Sequence, residues 1–509
     1  MTNWKKSLTA VILATLVLSL LIGGTASAVF IAGPAPTYNG TAPKYVFLFI
    51  GDGMSYPQIS SAEMFLGKKA NLSDLVGGGG LSKLSFSNFP IAGAAATLDS
   101  TSFIPDSAST ATSIASGHKT LSGVINMDES KTVKFTPISQ KMQDMGYKVG
   151  IVSSVPLNHA TPAAFYAQVP SRRMNYEISM QAVASGFDYF GGGGFMDPTG
   201  KEGNERHVHE VFAEAGYTVP TTKNDIMNLG PDSGKVLAVN PDLAITGPSM
   251  PYEVDRKAGD LSLADFVRKG IDVLDNPNGF FFMVEAGKID WANHANDGAT
   301  SIHDTLAFDR SVQEALRFYA ENPNETLILV TGDHECGGMS IGFAGTGYAT
   351  FFDKLDKVNM SFEMFDANVL TPYVAAHTPA TAELSHLAKD IKYAYGLLLP
   401  GDPDAEYHPE MVLTDNEIAK LEAALVKQMQ PREERNYTDD EKILYGGYNP
   451  LSVTLTHLLN NKAGITYSSY SHTGLPVPVY AYGLGQDLFT GYYDNTDIFN
   501  RLVDILGIR

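Results

Sequence analysis

Residues 45–50, Tyr-Val-Phe-Leu-Phe-Ile, form a continuous apolar run of strand length. A strand that is apolar at every position is buried on both faces, which is typical of a parallel sheet covered by helices. Similar runs occur at 148–152, 279–284, 326–330 and 477–482, with helical patterns such as 137–145 and 302–319 between them. The alternation predicts an α/β fold with a large, mostly parallel central sheet and helices on both faces.

Polar residues flank these runs. They are Asp52 after the first, His159 and Thr161 beyond the second, Glu285 after the third, Asp333 and His334 after the fourth, and His472 before the last. Ligands of open α/β sheets bind outside the carboxyl ends of the strands. The sequence therefore predicts a site at this edge.

Three further patterns add chemistry to that edge. Ser107 begins a run of small residues, where the N-terminus of a helix would place its hydroxyl beside free N–H groups and bound anions. Asp290 and His294 are four residues apart, a spacing that puts both on one face of a helix and lets them hold one metal ion. Arg172 follows Thr161 by eleven residues and offers the planar fork that clamps two phosphate oxygens, whereas its neighbour Arg173 is assigned to the surface.

The composition of the chain excludes some classes of protein and some kinds of metal ligand. The 509 residues carry 36 Lys and Arg against 56 Asp and Glu, a net charge of −20, which excludes a basic nucleic-acid binder. A single cysteine, Cys336, excludes an intrachain disulfide and leaves metal binding to histidine and carboxylate. Four carboxylates and three histidines suit zinc in a catalytic site.

Together these segments resemble the alkaline phosphatases. The resemblance covers residues 29–344 and 470–509 and rests on motifs that occur in the family's order. They are Gly51-Asp52-Gly53-Met54, Asp106-Ser107-Ala108, Thr161-Pro162-Ala163, Arg172, Glu285 with Asp290 and His294, Thr331-Gly332-Asp333-His334, and His472-Thr473-Gly474. The resemblance implies hydrolysis of small phosphate monoesters, with an alkaline pH optimum, through a phosphoserine.

The resemblance also implies a role for each site residue. Ser107 is the expected nucleophile and Arg172 the expected phosphate clamp. One zinc ion is expected on Asp290, His294 and His472, and a second on Asp52, Asp333 and His334, with Ser107 completing it during turnover. A third ion, usually magnesium, is expected on Asp52, Thr161 and Glu285.

His159 and Trp291 occupy positions that vary within the family: some members carry Asp in place of His159, and some carry Lys or His in place of Trp291. His159 could bind the third ion directly and shift its preference from magnesium towards zinc or cobalt. Trp291 cannot supply a lysine charge and would wall the substrate site instead. We therefore expect this protein to retain phosphate more weakly than family members that carry Asp and Lys at these positions.

The sequence also predicts how the protein is exported, divided into domains and assembled. Residues 1–28 read as a signal peptide, with Lys5 and Lys6 before an apolar segment and Ala26-Ser27-Ala28 as the cleavage site; an uncleaved anchor is the alternative. Export to a periplasmic or extracellular space follows, with no membrane span after cleavage. The catalytic domain is expected at 29–344 and 470–509. Residues 345–469 are expected to form an inserted cap or crown-like subdomain, or a dimer contact, and family habit favours a homodimer.

Three alternatives stay open at this point. A phosphodiesterase or a phosphoglycerate mutase of the same superfamily could share these motifs. A secreted protein that binds metal or phosphate without catalysis is the third. An intact Ser107 and a complete ligand set argue against the last.

Overall fold

The structure is a computed structural model that describes residues 38, 40–69 and 81–508. The predicted signal peptide at 1–28 lies outside the described residues. No helix within the described ranges has the length and apolar character needed to cross a membrane.

The strands are numbered in chain order. They are β1 (Tyr45–Gly51), β2 (Ile91–Ala96), β3 (Lys148–Ser153), β4 (Tyr189–Gly192), β5 (Val236–Val239), β6 (Phe280–Ala286), β7 (Thr326–Gly332), β8 (Glu335–Cys336), β9 (Ser340–Ile341), β10 (Ile465–Thr466), β11 (His472–Thr473), β12 (Val477–Gly483) and β13 (Gly491–Asp494).

The α-helices are numbered in the same way. They are α1 (Tyr56–Lys69), α2 (Ser107–Ser116), α3 (Ile138–Asp144), α4 (Ala160–Ala163), α5 (Asn175–Ser185), α6 (Val208–Glu214), α7 (Lys223–Met227), α8 (Leu263–Leu274), α9 (Lys288–His294), α10 (Gly298–Glu321), α11 (Phe362–Phe365), α12 (Thr371–Ala376), α13 (Ala388–Tyr395), α14 (Asp415–Gln428), α15 (Asp439–Tyr445), α16 (Pro450–Ala463) and α17 (Thr496–Leu506).

Nine strands form the central sheet in the order β13-β2-β12-β7-β1-β6-β3-β4-β5. The pairs from β7 to β5 and the pair β13-β2 are parallel, whereas β12 runs antiparallel to both of its neighbours. The prediction of a large, mostly parallel sheet is therefore confirmed. The apolar run at 477–482 is a buried strand, as expected, but its direction is reversed.

Alternation along β1 places side chains in two separate cores. Phe47 and Phe49 belong to the core on one face of the sheet, and Leu48 and Ile50 belong to the core on the other. The first core is shared with α8 and α10, and the second with α2 and α17. Both faces are covered by helices, which explains why every residue of β1 is apolar and buried.

Residues 345–469 contribute to the first of these cores. Leu421 on α14 and Leu455 on α16 are buried in the same cluster as Phe49. The helix α14 begins at the capping box of Thr414 and Glu417, where each side chain accepts a hydrogen bond from the other residue's backbone N–H. The segment therefore shares its hydrophobic core with the sheet.

Candidate active site

The register of the central strands brings the polar residues of the sheet edge together. Gly51, Ala286 and Gly332 lie at the same level of three adjacent parallel strands, so Asp52 and Asp333 leave the sheet side by side. The sequence predicts Glu285 just after β6, but Glu285 is the penultimate residue of this strand, because the strand continues to Ala286.

Gly53 allows β1 to end close to the helix α9. Its φ is +70°, and a Cβ placed on it would lie 2.7 Å from the Cα of Asp290. Its backbone N–H donates a hydrogen bond to Asp333 Oδ1 at 3.2 Å. Only glycine permits this approach, which carries Asp52 towards Asp290 and Asp333.

Asp290, His294 and His472 form the first group, called here the histidine cluster. The one-turn spacing on α9 places Asp290 Oδ2 3.3 Å from His294 Nε2, as the sequence predicts. His472 Nε2, from β11, lies 3.1 Å from His294 Nε2 and 3.6 Å from Asp290 Oδ1. The Nδ1 atoms of the two histidines are 2.7 Å from the carbonyl oxygens of Tyr470 and Pro105, which directs both Nε2 atoms into the cluster.

Ser107, Asp52, Asp333 and His334 form the second group, the serine cluster. His334 Nε2 lies 3.1 Å from Ser107 Oγ and 3.3 Å from both Asp52 Oδ1 and Asp333 Oδ2. Asp333 and His334 are adjacent yet converge because they occupy the turn between β7 and β8. Ser107 is the first residue of α2 and is almost fully buried.

Asp52, His159, Thr161 and Glu285 form the third group, the glutamate cluster. Donor atoms of Asp52, His159 and Glu285 all lie within 4.8 Å of one another. Thr161 Oγ1, on α4, donates a hydrogen bond to Asp52 Oδ2 at 3.4 Å. The geometry places His159 among the ligand candidates, as the sequence suggested for the third ion.

Arg172 lies at the open side of the site. Its Nη1 donates to Asp106 Oδ2 at 2.9 Å, and its Nη2 is 3.0 Å from His159 Nε2. Burial alone would raise the pKa of Asp106, but the Arg172 charge and two backbone N–H groups lower it. The neighbouring Arg173 is exposed, as expected.

The site concentrates negative charge that its own residues do not neutralise. Burial, followed by the charge of Asp333 and Asp290, raises the pKa of Asp52 well above its usual value. Burial is also the main cause that raises the pKa of Glu285 to about 8 and that of Asp333 to about 7. Buried carboxylates that repel one another are stabilised by bound cations.

Buried polar atoms without a hydrogen-bond partner also fit the binding of cations at this site. Four buried atoms, Asp52 Oδ1, Glu285 Oε1, Asp290 Oδ1 and His159 Nδ1, have no nitrogen or oxygen hydrogen-bond partner among the described residues. Buried polar groups are rarely left without a partner. Their position within groups of aspartate, glutamate and histidine fits divalent metal ions.

A cavity of about 250 Å³ opens beside the histidine cluster. Its lining includes Trp291 and His294, together with Phe362 and Tyr448 of the segment 345–469. The Trp291 ring also meets the His159 ring edge to face, with centroids 5.9 Å apart. Trp291 is therefore a wall of the site, as its sequence suggests.

The structure brings all twelve candidate residues into one site. They are Asp52, Ser107, His159, Thr161, Arg172, Glu285, Asp290, Trp291, His294, Asp333, His334 and His472. Sequence reasoning missed the pairing of Asp106 with Arg172 and the aromatic walls from 345–469. The sequence predicts no sulfur in the site, yet Cys336 lies against the histidine cluster. This proximity arises only in the tertiary structure.

Known proteins resemble this chain in sequence. The alkaline phosphatase family model matches residues 43–189 and 196–508. Alkaline phosphatase 4 of Bacillus subtilis is 29% identical over 415 residues, which cover 79% of this chain and 77% of that protein. Alkaline phosphatase 3 of the same organism is 27% identical, with 99% and 97% covered.

Solved structures share the fold. The cold-active alkaline phosphatase from a psychrophilic Shewanella sp. has a TM-score of 0.71 and 25% identity, covering 91% of this chain and 99% of that one. The Thermus thermophilus alkaline phosphatase has a TM-score of 0.70 and 24% identity, covering 96% of both. The second likeness concerns the fold alone.

Proposed function

The chain belongs to the alkaline phosphatase family, and from this premise we propose that it hydrolyses phosphate monoesters through a phosphoserine on Ser107. The observation that carries the proposal is the serine cluster. It sets the Ser107 hydroxyl at the start of α2, 3.1 Å from His334 Nε2 and among the metal-ligand candidates.

The chain's residues bind and orient the substrate. Free N–H groups and the positive end of the α2 dipole favour a phosphate beside Ser107. Nη1 and Nη2 of Arg172 each make one contact with Asp106 or His159, and a guanidinium carries five N–H donors. The donors that remain can grip two non-bridging oxygens of the phosphate.

The reaction then proceeds in two displacements. Ser107 loses its hydroxyl proton, its Oγ attacks phosphorus and the bond to the ester oxygen breaks. The ester oxygen takes up a proton and leaves as the alcohol. Water attacks the phosphoserine in line and releases inorganic phosphate and free Ser107. Each step inverts phosphorus, so net retention is expected, and an alcohol that replaces water accepts the phosphoryl group.

We assign the metals as follows. The histidine cluster and the serine cluster would each hold a zinc ion, and the glutamate cluster would hold magnesium, or zinc or cobalt in view of His159. When bound, such ions neutralise the carboxylates, lower the pKa of hydroxyl groups and water, and stabilise charge on the oxygens of the reaction. An alkaline pH optimum follows from the need to deprotonate Ser107 and water.

The clamp favours monoesters over diesters. A diester carries a second organic group on one of the oxygens that Arg172 would hold. Arg172 would therefore form fewer hydrogen bonds to a diester than to a monoester. The cavity beside His294 is lined by aromatic residues and lies next to the proposed zinc site. We propose that it receives the leaving group of the substrate. We propose that the segment 345–469 forms one wall of this substrate pocket and that 29–344 with 470–509 forms the catalytic domain.

Export after removal of residues 1–28 and assembly as a homodimer complete the proposal. The apolar segment and the cleavage motif at Ala26-Ser27-Ala28 support export. Gel filtration with light scattering of the mature chain tests the dimer: a mass of one chain would contradict it.

One assay separates the proposed activity from its alternatives. Turnover of p-nitrophenyl phosphate is compared with that of bis-p-nitrophenyl phosphate in zinc- and magnesium-loaded protein, with Ser107→Ala and EDTA-treated protein as controls. We expect faster monoester turnover, which both controls abolish. Faster diester turnover would indicate a phosphodiesterase. The absence of turnover in metal-loaded protein would indicate a binding protein.

A further inference from the structure

Cys336 lies against the histidine cluster. One donor atom each from Cys336, Asp290, His294 and His472 lies within 4.8 Å of the other three. The side chain is fully buried and forms no disulfide. It is also the single cysteine of the chain.

A short two-stranded ribbon fixes the direction of this thiol. β8 pairs antiparallel with β11, and Cys336 stands directly opposite His472. Residues opposite each other in such a pair share a face of the ribbon. The Cys336 and His472 side chains therefore point to the same side, towards Asp290.

The other face of the ribbon is held by Glu335. Its carboxylate accepts hydrogen bonds from the Thr473 hydroxyl, from Gln58 Nε2 at 2.8 Å and from the backbone N–H groups of Gly338 and Met339 at 3.1 Å. Adjacent residues of a strand point to opposite faces. Because Glu335 is anchored, Cys336 is held towards the cluster.

The Asp290 carboxylate faces the thiol within the cluster. The Cys336 thiol donates a hydrogen bond to this carboxylate. Asp290 Oδ1 has no nitrogen or oxygen partner among the described residues and lies 3.6 Å from His472 Nε2. Donor atoms bound to one tetrahedral zinc ion, at bond lengths of about 2.0–2.3 Å, lie roughly 3.3–3.8 Å apart. The spacing between Asp290, His294 and His472, 3.1–3.6 Å, fits such an ion.

We propose that Cys336 supplies a fourth protein ligand, its sulfur, to the metal ion held by Asp290, His294 and His472. On binding, the thiol S–H bond breaks, its proton passes to solvent, and a metal–sulfur bond forms. The proposal rests on the proposed function only in requiring that this cluster binds a metal.

Two consequences follow from the sulfur. A thiolate is a soft ligand, so the cluster should prefer zinc, cobalt or cadmium to magnesium. With four protein ligands, the zinc ion would have to expand to five ligands to bind an oxygen of the substrate, an expansion that zinc in catalytic sites undergoes in some transition states.

Cobalt(II) gives a direct readout that does not depend on turnover. Metal-free protein is titrated with cobalt(II), and the near-ultraviolet absorption is recorded for the wild type and for Cys336→Ser. We expect a sulfur-to-cobalt charge-transfer band in the wild type and none in the variant. X-ray absorption of zinc-loaded wild type should show a zinc–sulfur shell at about 2.3 Å.

The wild-type spectra decide the question even if the variant does not fold. A cobalt-loaded wild type without the band, and a zinc-loaded one without the sulfur shell, would overturn the proposal. A band that persists in Cys336→Ser or in Cys336→Ala would do the same. The band can be present in a protein that hydrolyses no phosphate ester, so failure of the proposed function is separable.

Discussion

Replacement of Arg172 by alanine tests how the chain recognises phosphate. Nη1 and Nη2 each make one contact, to Asp106 and to His159, which leaves three of the five N–H donors for substrate. Two of these fit a bidentate clamp on phosphate. A hydrogen bond to a charged group contributes about 1.5–3 kcal/mol, so the variant should lose about 3–6 kcal/mol of transition-state binding.

This loss corresponds to a decrease of kcat/KM by about a hundredfold to ten-thousandfold. The assay is p-nitrophenyl phosphate hydrolysis in metal-loaded protein, with thermal unfolding measured in parallel because Asp106 loses its ion pair. Arg173→Ala is the matched control, since its exposed side chain adjoins Arg172 in sequence, and it should retain wild-type activity.

Arg172→Lys refines the test. Lysine keeps the positive charge but cannot form the planar fork, so its activity should lie between those of the wild type and Arg172→Ala. A decrease of less than about tenfold in Arg172→Ala, with the metals still bound, would refute the clamp. Equal effects of Arg172→Ala and Arg173→Ala would refute it as well.

Three further predictions concern the surroundings of the site. Trp291→Lys places a cation beside His159 and should strengthen inhibition by inorganic phosphate and alter the response to magnesium; unchanged inhibition would contradict the proposed role of Trp291. Gly53→Ala forces a Cβ to within 2.7 Å of the Asp290 backbone, so overpacking should cost about 1–3 kcal/mol in urea unfolding and lower activity. Burial raises the pKa of Asp255 from 3.8 to about 6, so the folded state holds its proton more tightly than the unfolded state. Asp255 should therefore contribute a fall of up to about 3 kcal/mol in the free energy of unfolding as the pH rises from about 4 to about 6. Asp366, whose pKa burial also raises to about 6, adds to that fall. In urea unfolding measured against pH, Asp255→Asn should make the fall smaller; an unchanged fall would contradict the assignment.

The strands that the sequence predicts correctly are those with strong local signals. β1 and β6 are apolar at nearly every position because helices cover both faces of the sheet. β2, Ile-Ala-Gly-Ala-Ala-Ala, escapes prediction because its small residues have little preference for strands. The reversed direction of β12 is set by its pairing with β2 and β7, which apolar periodicity does not encode.

The residues of the site also differ in whether local sequence predicts that they lie together. Asp290 and His294 share a helical turn, and Asp333 and His334 share a loop, so local spacing is sufficient to group each pair. Cys336 meets His472 across 136 residues of sequence, through a ribbon of two residues on each strand. Such a contact leaves no periodic signal in the sequence.

The cavity next to His294 also escapes sequence reasoning. Phe362 and Tyr448 come from the segment 345–469, which lacks the strand–helix alternation of the rest of the chain, and they approach Trp291 only in the folded chain. The sequence predicts that this segment is a cap or a dimer contact. Its core residues pack with those of the sheet, which places its aromatic side chains at the site.

Trapping of the phosphorylated protein tests the central proposal most directly. Metal-loaded wild type and Ser107→Ala are mixed with p-nitrophenyl phosphate labelled in the phosphoryl group, quenched in acid and digested. Peptide mass spectrometry then locates the label. We predict label on Ser107 in the wild type and none in Ser107→Ala. Label on another residue, or turnover by the wild type that leaves Ser107 unlabelled while Ser107→Ala remains active, would contradict the account.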